Sequence, residues 1–425
     1  MNSEAPSRII LRASRLIDGT GAAPVDDPML VIENGRIEAV CRGNLPAHLA
    51  QGALLVGLPG MALLPGLIDS HVHLVFEPAS DHATTRRRLA EEPDSHSQMV
   101  ALGHAQEMLR AGVTTVRDCG DRGFVTVAVR RAIDEGRVAG PRLLCSGPPI
   151  TTTAGHLHWC GNEADTADEV KRAVRTAVKR GADFIKIMAT GGNMTPGSNP
   201  RRAQYHPAEL KAAVFEAHRL GKRVAAHVHS VEGIAAALEA GVDTFEHCSW
   251  SPTEPGQAYD FRPELAREMV RRGVWWGHTS SGIRWRTHPD PATQEEQQAA
   301  QIQQLRAGRE RFRRTLDAGV RMMISSDSGA RPTPFGAFVD ALEGAVVGLG
   351  LTPLAVIEAC TRVAAEGLGL ESEVGTLVPG RRADVLVVAG DPSTDIGALR
   401  RVALVLRDGK IVHRTGAEEF VQSGE

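Results

Sequence analysis

The stretch Leu-Pro-Gly-Leu-Ile-Asp-Ser-His-Val-His, residues 64–73, decides how the rest of the chain is read. It is an apolar run that ends in two histidines two residues apart. Side chains at i and i+2 share one face of a strand. His71 and His73 can therefore aim at one ion, and imidazole suits Zn²⁺ and other first-row divalent metals. A lone histidine, among 16 in the chain, reads better as a satisfied core or surface residue. A pair at this spacing, closing an apolar strand and with partners on later strands, reads as metal ligands.

Outward from that run, β-like apolar segments recur at residues 113–118, 142–146, 184–189, 224–229, 244–247, 274–278 and 322–327, which with residues 63–73 makes eight. Helix-like stretches separate several of them. Residues 168–179 open after Thr166 and end near Gly181, and residues 207–220 stop at Gly221. Regular β–α alternation predicts a parallel sheet, and eight units over about 280 residues have the size of a (β/α)8 barrel. The alternative is an open doubly wound sheet. No G-x-G-x-x-G or P-loop follows a strand, which weakens its nucleotide-binding form.

Both chain ends read differently. Residues 9–11, 29–32 and 36–40 are short apolar runs, and Asn34-Gly35 is a hairpin signal. At the other end, residues 383–388 and 402–406 are strand-like, and Asp408-Gly409 turns into residues 410–412. The fold class is therefore α/β: a (β/α)8 TIM barrel over residues 63–370. Residues 1–62 and 371–425 form a small discontinuous β-sandwich from both chain ends.

Active sites of such barrels lie at the C-terminal strand ends. Those ends carry His71 and His73, Lys186, His227 and His229, Glu246 and His247, and Asp327. Asp327 offers a hard anionic ligand. Lys186 stands in the apolar Phe-Ile-Lys-Ile-Met, where lysine is rarely buried unpaired. It either snorkels outward or is carbamylated by CO₂ into an anion able to bridge two metals, and the residues alone leave both open. Glu246 alternates with His247 and is read as structural. His278 receives no role, and His104 and His218 fall in helical stretches as surface or packing residues.

Composition sets the outer bounds. The chain has 425 residues, 42% hydrophobic and 23% charged, with net charge −3. No clustered basic excess points to nucleic acid, and no run approaches a membrane span. Six scattered cysteines without a C-x-x-C pair and no secretory signal fit a cytoplasmic protein with reduced thiols.

Residues 64–73 resemble the first-strand motif of the amidohydrolase superfamily. FIKIMATGG (184–192), VAAHVHS (224–230), FEHC (245–248), SSDSG (325–329) and the closing GTLVPGRRADVLVV (375–388) match the later motifs in order. The nearest branch is that of Xaa-Pro and related dipeptidases, imidazolonepropionase-like proteins, ochratoxin-type amidases and arylurea hydrolases. The resemblance implies two divalent metal ions, zinc first among them. It implies that His71, His73 and Asp327 hold one ion, that His227 and His247 hold the other, and that a carbamate on Lys186 bridges them. His227 and His229 share a face; the family motif favours His227, leaving His229 as a substrate contact.

His156, in TTTAGHLH (151–158), is read either as a catalytic and substrate-binding histidine on the loop after the third strand or as an ordinary loop residue. Tyr205 is read as lining the pocket, and Arg201-Arg202 as meeting an anionic substrate or solvent. The implied activity is hydrolysis of a carbon–nitrogen bond in an amide or peptide by a metal-bridging hydroxide, with Asp327 moving the proton. A dipeptidase or N-acyl amino acid amidase comes first. A cyclic-amide, urea or carbamate hydrolase, or a deaminase on the same scaffold, is the alternative, and a non-catalytic metal-binding protein the third reading. The partner is a small-molecule substrate, with homo-oligomerisation left open.

Overall fold

The structure, a computed structural model, describes residues 8–78, 82–254, 256, 258–279, 291–330 and 333–415. The chain divides into two compact units. One comprises residues up to Ile68, Glu107–Thr115 and residues from Leu351 on; the other comprises Asp69–Gln106 and Val116–Gly350.

The first unit is built on one mixed sheet that draws strands from both chain ends. Its members are β1 (Arg8–Leu16), β2 (Val25–Asp26), β3 (Pro28–Glu33), β4 (Arg36–Arg42) and β5 (Ala53–Pro65), followed by three strands from the other end of the chain. Asn34 and Gly35 take φ of 51° and 78°, the left-handed pair a two-residue hairpin demands, and join β3 to β4. Alternate residues such as Leu11, Ala13, Leu30, Ile32, Val56 and Leu58 lie in one buried apolar cluster on this sheet, together with Val385, Val387, Leu404 and Leu406.

The parallel strands follow. They are β6 (Leu67–Val72), β7 (Val113–Asp118), β8 (Arg142–Cys145), β9 (Ile185–Met188), β10 (Val224–Ser230), β11 (Thr244–Ser251), β12 (Trp275–Thr279) and β13 (Met322–Ser325). All eight β-like runs of the sequence are present; residues 63–65 belong to β5. β9 to β13 form one sheet in chain order, and β6 to β8 another. Single parallel bridges, Ile150–Ile187 and Val72–Ser328, connect the two sheets at both seams. β6, β7, β9, β12 and β13 are buried throughout, as strands covered on both faces should be. The closing strands β14 (Val385–Ala389), β15 (Val402–Arg407) and β16 (Lys410–Arg414) complete the first sheet, with β14 antiparallel to β5. Asp408 and Gly409 turn β15 into β16, as their sequence predicts.

Three segments that the sequence puts with the barrel, residues 63–68, 107–115 and 351–370, belong to the first compact unit. The Leu67 N–H donates to the Gly112 carbonyl at 3.0 Å, and the Ile68 N–H to the Cys360 carbonyl at 2.8 Å. A Cβ on Gly112 would lie 2.7 Å from a Leu386 methyl carbon, so backbone and sheet touch there.

Local chemistry fixes the helices between strands. Ala167–Lys179 starts at a capping box in which Thr166 and Glu169 satisfy each other's backbone N–H. Pro207–Arg219 has proline in its first turn. Ser230 ends β10 and at once caps the next helix, accepting from the Gly233 N–H at 3.0 Å. No described helix is long and apolar enough to cross a membrane.

Candidate metal centre

Every residue of the histidine cluster lies within the second compact unit. His71, His73 and Asp327 are buried, and their ligand atoms lie within 4.8 Å of one another. The ring nitrogens have defined jobs. His71 Nδ1 is 2.8 Å from Glu246 Oε2, and His73 Nδ1 is 3.2 Å from the Gly120 carbonyl. A carboxylate and a carbonyl can only accept, so both Nδ1 atoms carry the proton. Both Nε2 lone pairs are then turned to Asp327 Oδ1, at 3.6 and 3.7 Å. Three lone-pair atoms converging in a buried space repel one another, and a cation between them removes the repulsion.

A second group, His227, His229 and His247, meets the same geometric condition. His227 Nε2 donates to the Gly191 carbonyl at 3.2 Å, which leaves Nδ1 as a lone pair 3.0 Å from His247 Nε2. His247 Nδ1 is 2.9 Å from the Thr279 hydroxyl, and His229 Nδ1 is 2.9 Å from the Ser249 hydroxyl. Lys186 is 2% exposed, and its Nζ has no hydrogen-bond partner among the described residues. The outward, snorkelling lysine allowed by the sequence is not what the fold contains.

Electrostatics keep the imidazoles neutral. Burial, then the neighbouring histidines and the Lys186 ammonium, push His73, His227 and His247 well below the usual histidine range. Burial and Lys186 also lower His71. Neutral imidazole is the form that binds metal. Burial raises Glu246, but Arg117 and His71 override it and hold the carboxylate far below its ordinary value. Asp69, buried and bonded by Ser326, is pushed up to about 7, mainly by burial.

His156 is 3% exposed, with its ring centroid 4.6 Å from that of His227. A Cβ on Gly192 would lie 2.4 Å from His156 Nε2, so the glycine makes room for the ring. Burial and His229 lower His156 to about 3. Tyr205 is buried with its hydroxyl donating to the Ala164 carbonyl at 2.7 Å; its described hydrogen bond is to backbone, not to the histidine cluster. Arg201 and Arg202 reach Glu254. The His278 ring packs edge-on to Trp276 and Phe312.

Sequence alternation misplaces Glu246. It predicts opposite faces for Glu246 and His247, yet Glu246 bonds to His71 while His247 meets His227. The reason is the backbone. His247 and Cys248 hold φ of 66° and 48°, and this left-handed pair breaks the two-residue period. Asp327 also sits at φ 56°. Arg117 carries little signal in the sequence, being one charge beside Asp118 near the end of β7.

The amidohydrolase family profile matches residues 62–412. The chain belongs to the amidohydrolase family. It is 31% identical to ochratoxinase from Aspergillus niger over 96% of this chain and 87% of the relative. It is 26% identical to an imidazolonepropionase from Ralstonia nicotianae, covering 93% and 95%. Among solved structures, a Xaa-Pro dipeptidase with bound methionine in its active site superposes with a TM-score of 0.80 at 28% identity, over 96% of this chain and all of that one. The chain is accordingly an enzyme, a hydrolase of carbon–nitrogen bonds, with buried His and Asp groups able to hold metal.

Proposed function

We propose that this amidohydrolase carries two divalent ions, zinc first, and hydrolyses an amide or peptide-like bond, as a dipeptidase or N-acyl amino acid amidase. In this reading His71, His73 and Asp327 hold one ion, His227 and His247 the other, and a carbamate on Lys186 joins them. The observation that carries it is Lys186: a fully buried lysine amine with no hydrogen-bond partner beside five histidines whose basicity is depressed. Carbamylation turns that amine into an anion suited to both sites. A mononuclear deaminase would have no use for it.

When bound, the ions supply Lewis acidity and bring the pKa of a coordinated water towards about 7. Asp327 then takes the proton of the attacking water and delivers it to the leaving nitrogen. Neutral His156, on the loop after β8, donates to the substrate carbonyl oxygen as charge develops there. His229, anchored on Ser249, stands beside His227 as a substrate contact. Likeness to a Xaa-Pro dipeptidase and to ochratoxinase supports the peptide-like substrate class. The same reading takes the parallel strands as a closed (β/α)8 barrel with a small sandwich from both chain ends, and the bridges at both seams support closure.

The test is a panel of dipeptides, N-acyl amino acids and arylureas, with zinc and after chelation. Turnover of the first two that vanishes with chelator and returns with zinc is expected. Turnover confined to arylureas overturns the substrate class, and turnover that survives full removal of metal overturns the mechanism.

A further inference from the structure

The two histidine groups have different backing. His227 and His247 are backed by uncharged groups, the Gly191 carbonyl and the Thr279 hydroxyl. His71 has a carboxylate behind it, Glu246 Oε2 at 2.8 Å. That carboxylate is wholly buried and is itself held. Arg117 Nη2 donates to Glu246 Oε1 at 2.5 Å, and the Thr244 hydroxyl donates to the same oxygen at 3.0 Å. Arg117 Nε donates to the Ser70 carbonyl at 2.6 Å, and Nη1 to Thr244 Oγ1 at 3.2 Å. The guanidinium, from β7, thus ties β6 to β11 across the interior. Gly277 on β12 completes the cradle: a Cβ there would lie 2.3 Å from Glu246 Oε2.

Resting on the two-metal reading above, we propose that the Arg117–Glu246 pair is a positioning device. It fixes the proton of His71 on Nδ1 and its lone pair on Nε2, and makes the His71–His73–Asp327 site the tighter of the two. A carboxylate behind a ligating histidine fixes its tautomer and raises its basicity, and loss of such a partner typically costs about 10–100-fold in metal affinity. Arg117 is needed because a buried carboxylate without a counter-charge is strongly unfavourable.

The experiment equilibrates zinc-loaded full-length enzyme against graded chelator and counts the zinc retained. Two steps are expected for the natural chain. In Glu246→Gln the tighter step weakens by about 10–100-fold and the weaker step stays in place. In ¹⁵N-histidine NMR of the same protein, the Nδ1 resonance of one imidazole shifts as its carboxylate acceptor is lost. Glu246→Gln strands Arg117, so a second variant, Arg117→Met with Glu246→Leu, removes both charges together and is expected to shift the same step. If the natural chain retains two ions and both variants release them in parallel with it, the positioning role is wrong while the metal reading stands. If the natural chain retains less than one ion at the lowest chelator concentration, the metal reading itself fails, and this inference with it.

Discussion

Replacing Lys186 by methionine should move stability and metal loading in opposite directions. Without metal, Lys186 presents an amine that is 2% exposed and has no hydrogen-bond partner among the described residues. An unpartnered buried polar group costs about 1–3 kcal/mol, and a charged one more; about 3 kcal/mol is a fair figure here. Methionine fills a similar volume with a flexible apolar chain and relieves that cost. For a unit of this size about 2 °C of melting temperature accompanies each kcal/mol. Metal-free Lys186→Met should therefore melt about 6 °C above the metal-free natural chain. Loaded with zinc and bicarbonate, the order should invert. The natural chain should hold two ions, the variant at most one. Losing several kcal/mol of metal-derived stabilisation lowers kcat/KM by about 100-fold or more, at roughly 1.4 kcal/mol per decade. Differential scanning calorimetry, elemental analysis and a ¹³C-bicarbonate NMR signal present only in the natural chain are the assays. A variant that keeps two ions and full activity, or whose metal-free form melts lower, refutes the argument.

Three shorter expectations accompany it. His156→Ala should lower kcat by about 100-fold, the scale of losing one donor to a developing oxyanion, with zinc content by elemental analysis unchanged. Tyr205→Phe deletes a buried hydrogen bond to the Ala164 carbonyl, and urea unfolding should show a loss of about 1 kcal/mol with KM unaltered. Glu216 is lowered from 4.5 to about 2 by Arg219 and Arg175. Its contribution to stability is therefore present above pH 4.5 and lost as pH falls towards 2. Glu216→Gln should lower stability at pH 7, where that contribution is present, and flatten the profile as pH falls towards 2.

Much of the fold is legible because local signals and tertiary demands agree. Thr166 and Glu169 predict a helix start and form a capping box. Asn34-Gly35 and Asp408-Gly409 predict hairpins and adopt the left-handed angles those turns need. Strands buried on both faces read as unbroken apolar runs, so their number can be counted from sequence. The edges of the compact units are not legible in this way. Whether residues 107–115 and 351–370 pack with the terminal sheet depends on contacts such as Ile68 with Cys360 and Gly112 with Leu386, and no periodicity encodes a partner so distant in the chain.

The site divides along the same line. His71 and His73 are readable because the period of two holds along β6 and one residue past its end. His227 can be preferred over His229 only through motif likeness, since both share a face. Glu246 is misread because the rule that serves β6 fails midway along β11, where His247 and Cys248 turn left-handed. Non-glycine residues avoid that region at a cost of order 1–3 kcal/mol and hold it where the surroundings impose it. Asp327, just past the end of β13, also takes a left-handed φ. At both positions the strained backbone belongs to a residue whose side chain enters the cluster. At β11 it also lets two adjacent residues face inward, His247 towards His227 and Glu246 towards His71. A strictly alternating strand would deliver one of them and bury the other against the outer helices. The departure from regular geometry is thus what lets Glu246 and His247 both face inward, and it is the part of the site that only the folded backbone reveals.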